Sequence, residues 1–217
     1  VSHDIKVPLS SILGYIELMQ IDNEKCVDKH KILSMKNSAE HILSLLNNLL
    51  NFSRLEQGKE SIILSDFNIN DICDELNDMF KPLAKSKHLS FVYQNKIKSD
   101  TYIKSDALKI KQIVTNILSN AIKYSAEGTI QFIAEINNDE LFFNIKDEGI
   151  GIARDMLEEI YKPFSRIDNN KSSIEGSGFG LYVVKGLIDL MKGKIEVESE
   201  LNKGSEFIIK IPIEIVD

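Results

Sequence analysis

The sequence predicts a two-domain molecule: an all-α helical hairpin over residues 1–57, then an α/β sandwich over residues 61–217. Three observations carry this. Apolar side chains recur at helical steps of three and four in the first region, a glycine closes that pattern at Gly58, and short β-rich runs alternate with helical ones thereafter.

Within residues 1–57, a first apolar stripe runs Ile5, Leu9, Ile12, Ile16, Met19 and a second runs Ile32, Met35, Ala39, Ile42, Leu46, Leu49. The polar stretch between them, Asp22 to Asp28, has the length of a loop joining antiparallel helices. Two such helices cannot enclose a core alone. Heptad-like seams of this kind suit a four-helix bundle built from two copies, so homodimerisation through residues 1–57 is expected from pattern. The second helix should stop at Arg54-Leu55-Glu56-Gln57-Gly58-Lys59, which also marks the domain boundary.

Beyond it, strands are expected over Ser61–Leu64, Ser90–Tyr93, Thr101–Lys104, Thr129–Ile136, Leu141–Lys146, Lys194–Ser199 and Ser205–Pro212. Helices are expected near Ile69–Ser86, Ala107–Ser125, Ala153–Tyr161 and Phe179–Met191. The sequence shows no internal repeat and no low-complexity tract.

Charge excludes one class of function. The chain carries 26 Lys+Arg against 33 Asp+Glu, a net charge of −7, where a general nucleic-acid binder would show a basic face to polyphosphate. The imbalance is uneven: residues 1–57 hold six basic and seven acidic side chains, leaving 20 and 26 to the rest. A hydrophobic fraction of 43% argues against disorder. No run approaches the roughly 20 apolar residues that span a bilayer. The opening Val1, with no initiator Met or basic-then-apolar leader, suggests a cytoplasmic piece of a longer protein, joined to an inner membrane, if at all, only through an upstream segment. Cys26 and Cys73 lack a C-x-x-C or a neighbouring His cluster and read as ordinary thiols.

Chemistry concentrates in residues 61–217. On the helix with the apolar face Ile110, Ile113, Val114, Ile117, Leu118, Ala121, the residues Asn116, Asn120 and Lys123 form a separate polar stripe. Two carboxamide oxygens a turn apart can hold a hard cation such as Mg²⁺ when a nucleotide supplies the remaining ligands, and the lysine can meet a phosphate. A solvated helix face is the competing reading of the same three residues. Further on, Asp147-Glu148-Gly149-Ile150-Gly151-Ile152 follows a strand, and Gly176-Ser177-Gly178-Phe179-Gly180 opens a helix. Glycines allow close backbone approach, and amides at a helix start favour anions. Taken singly, each group is a tight turn; their order carries the weight. Neither is a G-x-G-x-x-G dinucleotide fingerprint or a P-loop.

In the order and content of these motifs, the sequence resembles the sensor histidine kinases of bacterial two-component systems along essentially its whole length. Ser2-His3-Asp4-Ile5-Lys6-Val7-Pro8-Leu9 resembles the phosphoacceptor motif, and residues 112–124, QIVTNILSNAIKY, resemble the asparagine motif. Asp147 to Ile152 matches D-x-G-x-G-I, Tyr161-Lys162-Pro163-Phe164 the phenylalanine motif, Gly176 to Leu181 the second glycine motif, and Gly204-Ser205-Glu206-Phe207 the closing G-T-x-F. The resemblance implies a dimerisation and phosphotransfer hairpin followed by an ATP-binding domain of the histidine kinase, gyrase and chaperone type. It implies that Asn120 and Asn116 hold Mg²⁺ with the triphosphate, that Lys123 and Tyr124 meet phosphate or ribose, and that Asp147 accepts from the adenine amino group. The motif residues Gly149, Gly151, Ile152, Phe164, Gly176, Gly178, Gly180 and Leu181 would border ATP. Arg166 and Lys171 would lie in a lid over Ser165–Ser177, Lys171 equally readable as a solvated charge.

Among the four histidines, His3 is the expected phosphoacceptor. It points roughly 150° away from the first helix's apolar stripe at about 100° per residue, hence toward solvent. Asp4 beside it can hold and deprotonate the imidazole, where the family usually has Glu. His41 is the serious rival; His30 and His88 read as surface residues. Pro8 deprives the Asp4 carbonyl of its helical partner and should bend the helix beside His3. Val7 stands where related kinases place the Thr or Asn thought to position water for dephosphorylating the response regulator, so a weak phosphatase is expected. The expected reaction is autophosphorylation of His3, then transfer to an Asp of a separate receiver domain. An ATPase of the same fold is the nearest alternative, but Asn116 occupies the place of its carboxylate base. A non-catalytic dimerisation scaffold is the other alternative.

Overall fold

The computed structural model describes residues 9–16, 29–163, 165 and 178–216. The chain divides into two compact units, Val1–Gly58 and Lys59–Asp217.

The first unit is helical, with α1 described over residues 9–16 and α2 spanning Lys29–Glu56. Arg54 in the last turn of α2 complements the negative end of the helix dipole. Gly58 ends the pattern at φ +60°, its N–H donating to the Leu55 carbonyl at 3.0 Å. In the single chain the stripe remains open: Leu9, Ile16, Ile32 and Leu46 all stay more than a third exposed.

The second unit orders β1 (Ser65–Asn68), α3 (Ile69–Ser86), β2 (Ser90–Asn95), β3 (Tyr102–Ser105), α4 (Ala107–Tyr124), β4 (Thr129–Asn137), β5 (Glu140–Asp147), α5 (Gly180–Leu190), β6 (Lys194–Glu200), β7 (Gly204–Pro212) and β8 (Glu214–Val216). Its main sheet runs β2-β4-β5-β7-β6, parallel at β2–β4 and antiparallel elsewhere. A smaller antiparallel sheet runs β1-β3-β8. Alternation sends Ile130, Phe132 and Ala134 of β4, Leu141, Phe143 and Ile145 of β5, and Phe207, Ile209 and Ile211 of β7 to one buried face. There they share a core with Ile113, Ile117 and Leu118 of α4 and Val183, Val184 and Leu187 of α5. The Phe132 ring lies 5.3 Å from Tyr93 and 5.9 Å from Phe143, centroid to centroid, so aromatic packing spans three adjacent strands.

One capping residue positions α4. The Asp106 carboxylate, 3% exposed, accepts from the Lys109 N–H at 3.1 Å through Oδ1 and from the Ile63 N–H at 2.9 Å through Oδ2. It therefore fixes both the start of α4 and the segment that leads into β1.

Two expectations need correction. Ser61–Leu64 is not a strand: Ile63 is 70% exposed and gives its N–H to Asp106, and the strand begins at Ser65. Ala153–Tyr161 is not an α-helix but two 3-10 turns, Arg154–Met156 and Glu159–Tyr161. Only Ile160 of that stretch is buried, so little packing stabilises a longer helix before Pro163. The short β8 at Glu214–Val216 has no counterpart among the expected strands, because three residues carry too little periodicity to read. Among the described residues no helix is long and apolar enough to cross a membrane.

Candidate functional site

The site is built around the C-terminal end of β5. Asp147, the last residue of that strand, is 6% exposed and pairs in register with Ser205 on β7, which in turn pairs with Ser199 on β6. Three polar side chains thus form a row on the helix-facing side of the sheet. Burial pushes the Asp147 carboxyl above its ordinary range, opposed by hydrogen bonds from the backbone N–H groups of Gly149 and Ser205. The Gly149 bond to Oδ1 is 2.9 Å long. A buried carboxylate with amides on one side and a pocket on the other is an acceptor seeking an N–H donor.

That pocket is lined by Asn120, Ala121 and Tyr124 of α4, by Asp147 and Ile150–Ile152, and by Leu181, Ser205 and Phe207. Its floor depends on two glycines. Gly151 has φ +65°, and a Cβ there would come within 2.0 Å of the Glu200 carbonyl oxygen; Gly204 has φ +102°, and its Cβ would come within 1.9 Å of the Asp147 carbonyl oxygen. The loop after β5 and the β6–β7 turn are therefore pressed backbone to backbone. The Asn202 N–H donates to the Ile150 carbonyl at 2.7 Å and the Ile152 N–H to the Ser199 hydroxyl at 2.8 Å, which completes the contact. On the other side, Gly149 abuts the Tyr124 carbonyl, which accepts from the Ile150 N–H at 3.1 Å.

The polar stripe on α4 faces the start of α5. Asn116 donates through Nδ2 to the Gln112 carbonyl at 2.9 Å, leaving Oδ1 as its available acceptor. A Cβ added to Gly180, the first residue of α5, would stand 3.2 Å from that oxygen. Lys123 Nζ lies 3.3 Å from Tyr124 Oη and 4.8 Å from the centre of the Tyr124 ring. Carboxamide oxygens on one helix face, an ammonium one turn on and a helix N-terminus opposite make a donor set that fits a hard divalent cation shared with phosphate oxygens.

The structure brings Asn116, Asn120, Tyr124, Asp147, Gly149, Gly151, Ile152, Gly180 and Leu181 to one region. Gly178 precedes α5 in a left-handed turn at φ +68°. Lys123 lies beside Tyr124 rather than in the pocket wall. His3, Asp4, Val7, Phe164, Arg166, Lys171 and Gly176 lie outside the described residues. Ala121, Ile150, Ser205 and Phe207 also line the pocket, with Ser199 behind them, and none of the five is among the site residues expected from the sequence. Ser205 and Phe207 carry a signal in the sequence, since both belong to the Gly204-Ser205-Glu206-Phe207 motif.

Comparison with known proteins places this geometry. Residues 1–58 match the profile of the His Kinase A (phospho-acceptor) domain, and residues 105–215 match that of the histidine kinase-, DNA gyrase B-, and HSP90-like ATPase. The autoinducer 2 sensor kinase/phosphatase LuxQ of Vibrio vulnificus is 36% identical over 98% of this chain and 26% of its own length. The sensor protein GacS of Pseudomonas syringae pv. syringae is 34% identical over 98% of this chain and 24% of its own. The chain thus spans about a quarter of the length of these curated relatives. Among solved structures, full-length ShkA in complex with AMPPNP superposes with a TM-score of 0.76 at 26% identity, covering 99% of this chain and 45% of that one. A phosphoacceptor profile followed by an ATPase profile, on a helical unit followed by an α/β unit with a buried Asp at its pocket, means that this chain belongs to the sensor histidine kinases.

Proposed function

We propose that this chain is the catalytic core of a two-component sensor kinase: it binds Mg·ATP, phosphorylates itself on His3 and passes the phosphoryl group to an Asp of a response regulator receiver domain. The observation that carries the reading is Asp147, a buried acceptor lining a pocket walled by α4 and closed beneath by glycine-mediated backbone contacts. Such a group selects an exocyclic amine. The AMPPNP held by ShkA, of like fold, supports a nucleotide in the same place.

In this reading residues 1–57 form the dimerisation and phosphotransfer domain and residues 61–217 the ATP-binding domain. The half-exposed stripe of Leu9, Ile16, Ile32 and Leu46 supports a homodimer, since one copy leaves it open. Asn120 and Asn116 would hold Mg²⁺ through their carboxamide oxygens; the ion would offset phosphate charge. Lys123 and Arg166 would bind phosphate oxygens, Tyr124 the ribose side, and the glycines at 176, 178 and 180 would present backbone amides. The His3 imidazole nitrogen attacks the γ-phosphorus, the bond to the bridging oxygen breaks and ADP leaves. Asp4 takes the proton released from the other ring nitrogen. In the second step a receiver carboxylate attacks phosphorus and the P–N bond breaks. Asn116 cannot deprotonate water at neutral pH, which favours transfer to a side chain over hydrolysis. Val7 offers no hydrogen bond to a hydrolytic water, so this chain is a weak phosphatase even though LuxQ is named a kinase/phosphatase.

The test is γ-labelled ATP with the full chain. Acid-labile, base-stable label should vanish in His3→Gln and persist in His41→Gln. In the same preparation Val7→Thr should speed loss of phosphate from a phosphorylated receiver. No label on the unaltered chain would leave the scaffold reading instead.

A further inference from the structure

Behind the pocket, Ser199 makes three contacts through one oxygen. Its Oγ accepts from the Ile152 N–H at 2.8 Å, donates to the Gly204 carbonyl at 2.8 Å, and lies 3.0 Å from Ser205 Oγ. A serine hydroxyl has a single hydrogen. The Gly204 carbonyl can only accept, so the Ser199 hydrogen is committed there, and the hydrogen between the two serine oxygens must come from Ser205. Ser205, 7% exposed and in the pocket wall, has then used its one hydrogen and can show a ligand only lone pairs. Its neighbour in register is the Asp147 carboxylate, also an acceptor.

We propose that Ser199 is a positioning residue for base selection: by fixing the polarity of the Ser205 hydroxyl it makes that stretch of the wall accept-only, so that a 6-aminopurine is taken and a 6-ketopurine rejected. The inference rests on the nucleotide-binding reading above. An amino group has two hydrogens to give to two acceptors. A keto oxygen at the same place would face both of them without a hydrogen between, and buried acceptors left opposed cost more than a missing contact. Ser199 touches no ligand in this account. Its effect is exerted through Ser205, while its bond to Ile152 also ties the β5 loop to β6.

The experiment measures binding of ADP and of IDP, which differ in the amino and keto groups at the purine 6-position, to the full chain with Mg²⁺ by titration calorimetry. The unaltered protein should prefer ADP. Ser199→Ala frees the Ser205 hydroxyl to turn its hydrogen toward the pocket, and the ADP-over-IDP ratio should fall roughly fivefold, the weight of one ordinary hydrogen bond. Ser199→Thr, which keeps the hydroxyl, should retain the ratio. Ser205→Ala, which leaves the Ser199 bonds to Ile152 and Gly204 intact, should also lower it, and adding Ser199→Ala to that variant should lower it no further. Equal weakening of both nucleotides in Ser199→Ala, or losses of ratio that multiply in the double variant, would overturn the proposal. Should Ser199→Ala not fold, an unchanged ratio in Ser205→Ala overturns it alone. Failure of the unaltered chain to bind either nucleotide would instead defeat the nucleotide reading itself.

Discussion

The two units of this chain solve burial differently. In the second, each strand of the central sheet sends its alternate side chains to a face that α4 and α5 cover, and Phe132, Phe143, Ile113 and Ile117 are wholly or almost wholly buried within one copy. The first leaves Leu33, Leu43 and Leu50 more than half exposed besides its seam residues. A two-layer sandwich can complete a core alone, whereas a pair of helices cannot. The unit that is complete by itself is also the one that can press backbones together, and it does so where Asp147 sits. Local perturbation should therefore act within the second unit, and self-association should depend on the first.

Gly204→Ala should have the largest effect. The added Cβ would meet the Asp147 carbonyl oxygen, a backbone atom that cannot swing away, at a φ of +102° that L side chains rarely adopt. Destabilisation of about 3 kcal/mol or more is expected, within the range of such backbone clashes. Calorimetry on the full chain should show the transition of the second unit falling while self-association through the first persists. Loss of both together would mean that the units are not independent, and the contrast would fail.

Next in size is Leu46→Glu. Removing one leucine from an apolar seam costs roughly 1.5–3 kcal/mol per burial lost, or about tenfold or more in association constant. Sedimentation should show weaker self-association, with ADP affinity within about twofold of the unaltered chain. If association is unchanged, the seam is not where two copies meet. If nucleotide affinity falls in step, dimerisation and binding are coupled and the division of labour is less clean than the burial pattern suggests.

Legibility followed the same division. Long periodic elements were readable: α4 runs Ala107–Tyr124 where Ala107–Ser125 was expected, and α3 matches its expected span. The first glycine motif falls where the backbone makes close approaches, Gly149 against the Tyr124 carbonyl and Gly151 against the Glu200 carbonyl, which is why glycine stands there. What escaped were contacts that no local pattern encodes. Ile63 is held by a carboxylate 43 residues away, which turns an apparent strand into a strap. Met156, Leu157 and Ile160 have helical spacing, yet the chain turns twice there because only one of them finds a buried place. Ser199 could be found only after the register of β6, β7 and β5 put it in line with Asp147.

The smallest predicted effect concerns Asp147, and it has the opposite sign for stability and for binding. Its carboxyl is held above the ordinary range by burial, with Gly149 and Ser205 opposing, so the folded protein keeps this proton to a higher pH than the unfolded chain does. Below the ordinary carboxylate range, around pH 4, both states are protonated and nothing is lost. As pH rises past it, the unfolded chain ionises first, and stability falls until the folded carboxyl has ionised too. Once the folded carboxyl has ionised, the unliganded protein bears the whole penalty. Asp147→Asn removes it, so the second unit of the ligand-free variant should melt higher than that of the unaltered chain once the pH is above the ordinary carboxylate range. That advantage should shrink toward zero or reverse on acidification to pH 4. The same variant should bind ADP at least about tenfold more weakly, having lost a charged acceptor. A melting difference independent of pH would show that the carboxylate is not strained by its burial. A variant that gained stability and kept its affinity would remove Asp147 from the base contact, and with it the strongest local reason for assigning nucleotide binding to the second unit alone.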